Sequence, residues 1–156
     1  MTLAFPKGKR RKRIKRDADA EASFEQPRLP VLRSEKWLDE VRNRPCVLTG
    51  ASPAVAAHVR WRSNGGTALK PGDNRALPLT DDLHKLQHQV GEVSFWTEMF
   101  IKYPRFAAMC RNAWNAVNNP AKWVGDIDDS MEALTIWTEK QYDIWQRRGG
   151  KAPSWI

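Results

Sequence analysis

Four residues of this chain have types and spacing suited to hydrolytic chemistry: His58, Asn74, His84 and His88. They follow one another at intervals of 16, 10 and 4 residues, and the chain holds no other histidine. A four-residue interval on a helix sets two imidazoles on one face about one turn apart, where both can hold a single metal ion. The same interval also suits two polar residues on the solvent side of an amphipathic helix. His58 lies upstream in an apolar run, and its type favours proton transfer near neutral pH, where imidazole titrates.

The elements that must position these residues read as follows. Ser34 is an N-cap for a short helix from about Glu35 to Arg42, with Trp37, Leu38 and Val41 on one side and Pro45 beyond its end. Residues 46–50 (Cys-Val-Leu-Thr-Gly) read as a short strand running into a turn. Residues 54–61 form a second apolar stretch carrying His58, and Asn64-Gly65-Gly66 is a turn signal. A helix starts near Thr80 or Asp81 and carries Leu83, His84, Leu86 and His88. Gly91 interrupts it, and a second helix spans about Glu92 to Lys102. Pro104 opens a third, ending near 118–120. Asp129 with Glu132 forms a capping-box-like start to a last helix that stops at Arg147-Arg148-Gly149-Gly150.

Composition frames the partners. The 156 residues carry a formal charge of +8. Residues 1–16 alone hold eight basic side chains and no acid, which leaves 18 basic against 18 acidic residues elsewhere. The basic character belongs to a tail, and the body is neutral. Lys9, Arg10, Arg11, Lys12 and Arg13 within that tail suit a phosphate backbone, with the strong salt dependence that counterion release brings. A solubility or targeting role remains the other reading of the tail. Residues 1–30 read as a disordered basic tail, 31–103 as the domain bearing the histidines, and 104–156 as a helical extension packed on it. Two cysteines, Cys46 and Cys110, suffice for neither a four-cysteine zinc site nor a disulfide framework, so an intracellular, reducing setting is expected. No apolar run approaches membrane-spanning length, and no apolar stretch follows the basic N-terminal residues as a secretory signal requires. Most of the eight tryptophans fall at apolar helical positions and read as core; Trp61, between Arg60 and Arg62, has either packing or a nucleic acid as its partner.

Ala57-His58-Val59, Gly65-Gly66, Asp73-Asn74, Pro78-Leu79 and the His84/His88 pair, taken in order, resemble the ββα-metal, or HNH, endonuclease motif. That motif has a histidine on the first strand, a Gly-Gly turn, Asp-Asn before the second strand, and His-x-x-x-His on a helix. Residues 89–96 are similar to the continuation found in a phage- and prophage-associated HNH-like subgroup. The likeness covers residues 34–96. It implies an α+β fold, mostly α overall, in which a small ββα-metal core is flanked by an N-terminal helix and added C-terminal helices. It implies a DNA endonuclease acting in phage or prophage DNA processing or recombination, in the cytoplasm of a bacterial host cell.

On that resemblance His58 is the general base, Asn74 holds the loop between the strands, and His84 and His88 bind one divalent ion (Mg²⁺, Mn²⁺, Ni²⁺ or Zn²⁺). Arg60, Arg62 and Lys70 are the phosphate contacts, DNA is the partner, and a recombinase filament is a further partner to consider; no membrane is involved and the oligomeric state stays open. The chain departs from the pattern in three ways. Ala57 stands where a metal-ligating His or Asp commonly precedes the base, leaving Asp73, Asp81 and Asp82 as possible carboxylate ligands. The subgroup's zinc-ribbon-like cysteines are mostly missing, with Thr49, Thr80 and Leu83 in their places. Asn74 to His84 is one residue longer than the commonest spacing. The alternative is therefore a DNA-binding or recombination accessory protein that keeps the fold without cleaving.

Overall fold

The computed structural model describes residues 31–63 and 70–151. Helix α1 (Glu35–Arg42) starts where Ser34 Oγ accepts the backbone N–H of Trp37 at 3.3 Å. Trp37, Leu38 and Val41 fall on one face of it and are buried. Strand β1 (Val55–His58) pairs antiparallel with β2 (Ala76–Leu79), in a register that sets Val55 opposite Leu79 and His58 opposite Ala76. Because side chains alternate across a strand, Ala57 and Leu77 share one face while His58 and Ala76 share the other. Pro78 is accommodated because each strand of a two-stranded sheet is an edge.

Helix α2 (Asp81–Val90) follows β2 directly. Thr80 caps it by accepting the N–H of Leu83, and Asp81 and Asp82 sit in the first turn against the positive helix end. Gly91, at φ +88°, ends α2 and begins α3 (Glu92–Lys102), a backbone turn that glycine adopts without the steric cost other residues meet. Helix α4 (Pro104–Asn115) begins with proline at its first position, and α5 (Ile127–Arg147) is the longest element. Among the described residues the architecture is thus five α-helices and one two-stranded antiparallel sheet, an α+β arrangement that is mostly helical. The order β1, β2, α2 is the one in which the histidines are threaded.

Two apolar clusters hold these elements together. The larger runs from Ala57, Leu77 and Leu79 on the sheet through Phe95 and Trp96 of α3 to Leu134 and Trp137 of α5. The smaller joins the first and last helices: Trp37 meets Tyr142 edge-to-face with ring centroids 5.6 Å apart and lies 5.3 Å from Trp145, with Ala76 buried beside them. Of the tryptophans expected in the core, Trp37, Trp96, Trp114 and Trp137 are buried and Trp145 is half-buried.

Three sequence expectations require correction. Residues 46–50 form a tight turn and not a strand: Cys46 exchanges hydrogen bonds with Ala51 and Gly50, whose φ of +72° closes the loop. Helix α4 stops at Asn115, before 118–120. Helix α5 begins two residues ahead of Asp129, because Asp126 is its cap, accepting the N–H of Asp129 at 2.8 Å. The Asp129 carboxylate instead takes the backbone N–H groups of Val124 and Gly125. No helix of the described residues is long and apolar enough to cross a membrane.

Candidate active site

His58 is the last residue of β1 and turns away from the main core, as strand alternation requires. Its side chain is 12% exposed, and its Nε2 lies 3.1 Å from Asp73 Oδ1. Asp73 occupies the single 3-10 turn, Asp73–Arg75, that leads into β2, and its side chain is 4% exposed. A carboxylate so buried must be compensated. Ser34 donates its backbone N–H to Oδ2 at 2.8 Å, Arg33 approaches Oδ1 at 3.4 Å, and the Lys70 ammonium lies 3.6 Å away. The Asp73 backbone N–H donates in turn to the Leu32 carbonyl at 3.0 Å. Burial pushes the Asp73 carboxyl upward, but the Ser34 N–H, His58 and Lys70 outweigh it and hold the group below its ordinary value. Burial acts on His58 in the other direction: it pushes the imidazole below its usual value against the pull of Asp73, with Lys70 and Arg33 adding to the fall. Neutral imidazole beside ionised carboxylate is the resulting state near pH 7.

His84 and His88 stand one turn apart on α2, with ring centroids 4.6 Å apart and their Nε2 atoms 3.0 Å from each other. Partial burial and the neighbouring His88 both push His84 below its ordinary value, so its lone pair is available near neutral pH. The helix faces β1 across a cleft of about 350 Å³, whose walls include His58, Arg60, Lys70, His84 and His88. Arg42 also lines it, but its guanidinium is bound by Glu35 at 2.7 Å and Asp39 at 2.6 Å. The three histidines and two of the expected phosphate contacts thus converge on one cavity.

Other expected residues fall elsewhere. Arg62 is not among the cleft-lining residues: it has φ +43°, stacks over Trp61 at 5.2 Å and lies 3.8 Å from Asp128. Trp61 is half-buried against the main core. The Asn74 carboxamide lies on the loop itself, so close to Gly72 that a methyl group there would meet its Oδ1 at 2.5 Å. Asp81 pairs with Lys85 one turn along α2. Among the described residues no group of three or more His, Cys, Asp or Glu is arranged to hold a metal ion. Lys9, Arg10, Arg11, Lys12, Arg13 and the Gly65-Gly66 turn lie outside the described residues.

Sequence reasoning missed three contributors. Asp73 stood as a possible metal ligand, whereas its carboxylate is spent on His58 and Ser34. Glu92, at the start of α3, accepts the backbone N–H of Arg60 through both oxygens, at 2.7 and 3.0 Å. Arg75 donates to the Trp61 carbonyl at 2.6 Å and to Glu139 of α5 at 2.9 Å. Together Glu92 and Arg75 fasten the segment that leaves His58. Their only sequence signal is polar type at an element boundary, too common to single them out.

A model for the family described as "Protein of unknown function (DUF968)" matches residues 6–102. No curated protein and no solved structure matches the chain.

Proposed function

Since this chain belongs to the DUF968 family, whose function is unknown, we propose from the cleft itself that it is a metal-dependent endonuclease hydrolysing DNA phosphodiester bonds by HNH-type chemistry. The observation that carries the reading is the convergence of His58, His84, His88, Arg60 and Lys70 on one cavity, along a β-β-α path. In this reading residues 31–103 bear a ββα-metal core and residues 104–156 support it.

The histidine pair fits a divalent ion. Nitrogens 3.0 Å apart, each about 2.1 Å from one ion, subtend roughly a right angle, as neighbouring ligands of a six-coordinate site do, whereas a tetrahedral pair stands about 3.4 Å apart. Imidazole donors suit Mn²⁺, Ni²⁺ or Zn²⁺ better than Mg²⁺. When bound, the ion supplies positive charge for a phosphate oxygen and the departing 3′ oxygen. His58 accepts a proton from water as the water oxygen forms its bond to phosphorus. The P–O3′ bond breaks, and the 3′ oxygen leaves with a proton from solvent. Arg60 and Lys70 at the rim hold the flanking phosphates, and the basic residues Lys9 to Arg13 add affinity without sequence preference.

One observation favours a second reading, a DNA-binding or recombination accessory protein that does not cleave. Ala57 is buried in the core, so the position where a further metal ligand commonly precedes the base is closed. Supercoiled-plasmid nicking decides between them, with Mn²⁺, Ni²⁺, Zn²⁺ and Mg²⁺ in turn, on the intact protein, His58→Ala and His84→Ala. The nuclease reading expects nicking that needs an added metal and is lost in both variants while DNA binding persists. Equal nicking by all three proteins, or binding without nicking on plasmid and branched DNA alike, overturns it.

A further inference from the structure

We infer that Asp73 is the positioning residue of His58: its carboxylate takes the Nε2 proton of the neutral ring and leaves Nδ1 as the nitrogen that accepts a proton in the cleft. The inference rests on the reading of His58 as a general base, and it adds which of the two nitrogens does the work and what decides this.

The hydrogen-bond inventory carries the argument. A neutral imidazole has one N–H and one lone pair, and its partner selects the tautomer. The partner of Nε2 is a carboxylate oxygen at 3.1 Å, which accepts only while Asp73 is ionised. Asp73 cannot swing away, because Oδ2 is held by the Ser34 N–H at 2.8 Å and its own backbone N–H is held by Leu32. Oδ1 has His58 as its nearest donor. Arg33 and Lys70 stand further off, at 3.4 and 3.6 Å. They offset charge without taking the place of the imidazole. Nδ1 makes no hydrogen bond to a described residue, and the ring lines the cleft.

The same contacts make the segment Leu32–Ser34 part of the site. It supplies a backbone acceptor, a backbone donor and the Arg33 guanidinium, which also binds the carbonyls of Lys70 and Pro71 at 3.0 and 2.7 Å. A proton taken by Nδ1 makes an imidazolium whose charge lies against the Asp73 carboxylate. The proton then passes to solvent, and the ring returns to its starting tautomer.

The test is a nitrogen–proton correlation of the imidazole rings in metal-free, intact protein in chelator, across pH. Only three histidines contribute, and His58→Gln identifies the signals of interest. The charged and titratable groups facing the ring are Asp73, Lys70 and Arg33 on the loop side, with Arg42, Arg60, His84 and His88 around the cleft. The parent is expected to show His58 protonated on Nε2 alone. Asp73→Asn removes the anion, and the His58 midpoint falls by about one pH unit or more. In the nicking assay the same variant loses roughly 100-fold or more in kcat with KM little changed, as expected when an imidazole is left in the wrong tautomer, and the acid limb of its pH profile moves with the midpoint.

A parent ring protonated on Nδ1, or an Asp73→Asn ring with unchanged tautomer and midpoint, overturns the inference. The parent spectrum does not depend on Asp73→Asn, so a misfolded Asp73→Asn leaves the test in force. An Nε2–H ring in a parent that nicks nothing upholds the positioning role and overturns the hydrolytic reading alone.

Discussion

Ala57→His places an imidazole where, in the proposed HNH-type reading, a further metal ligand would precede His58. The structure argues that the imidazole goes into the core instead. Ala57 is 1% exposed and pairs across the sheet with Leu77, which is fully buried; both belong to the larger apolar cluster. The substitution adds a five-membered ring at a buried position walled by that cluster. Overpacking of this kind costs about 1–3 kcal/mol. Leaving ring nitrogens without partners in an apolar setting costs about 1–3 kcal/mol more. The sum, about 2–6 kcal/mol, is a large part of the roughly 5–15 kcal/mol that holds a domain together. At about 2–4 °C per kcal/mol for a chain of this size, Tm falls by roughly 4–24 °C. Circular dichroism melting gives the stability, and titration calorimetry with Ni²⁺ or Zn²⁺ gives the affinity, which is expected not to rise. A variant as stable as the parent that binds the ion ten times more tightly refutes the strand-face argument, because residue 57 then faces the cleft.

Two further outcomes follow from the same contacts. His58 and His84 both titrate below their ordinary value, so between that value and the folded one the unfolded chain binds protons that the folded chain does not. Their contribution to stability is therefore complete above about pH 6.5 and is lost as pH falls through the folded values; metal-free protein should melt lower at pH 5 than at pH 7, and His58→Gln should flatten that dependence. Glu92→Ala strips the Arg60 N–H of both carboxylate oxygens, and the half-buried position sets the cost near the low end for a lost charged acceptor, about 1–2 kcal/mol. Urea unfolding reads this as a lower midpoint at unchanged slope, and an unchanged midpoint would show that water serves the Arg60 amide equally well.

Where a local rule decides the structure, the sequence was legible. Ser34, Thr80 and Gly91 are residues whose side chain or backbone freedom ends or begins a helix by itself, and α1, α2 and α3 have the bounds those residues imply. The interval between His84 and His88 needs only a helix to bring the rings together. Elsewhere two residues competed for one role. Asp126 and Asp129 are both good caps, and the turn at Val124 and Gly125, which consumes the Asp129 carboxylate, makes Asp126 the cap. Residues 46–50 have strand-like types, but Gly50 lets their hydrogen bonds close locally. Asp73 was unreadable for a different reason. Its partners, Ser34 and His58, lie 39 and 15 residues away, and only the docking of α1 beside the sheet brings them to it. Arg60 and Arg62 look alike in sequence; the left-handed backbone at Arg62 sends one toward Asp128 and leaves the other at the cleft.

The aromatic contact between Trp37 and the pair Tyr142 and Trp145 has a consequence for the order of events in synthesis. Residues 6–102, the stretch that carries the family likeness, include every histidine, yet Trp37 in α1 is covered by side chains of α5. Arg75, which holds the segment after His58, is itself held by Glu139. A chain made at about 5–20 residues per second therefore has its histidines made seconds before α5, which holds Arg75 and covers Trp37, has emerged. During that interval Ser34, Asp73 and His58 have no α5 to brace them, and contacts so distant in sequence form late because closing the loop costs entropy first. A chain that ends before residue 127 lacks the α5 side chains that cover Trp37 and hold Arg75, and is expected to hold the segment after His58 less firmly.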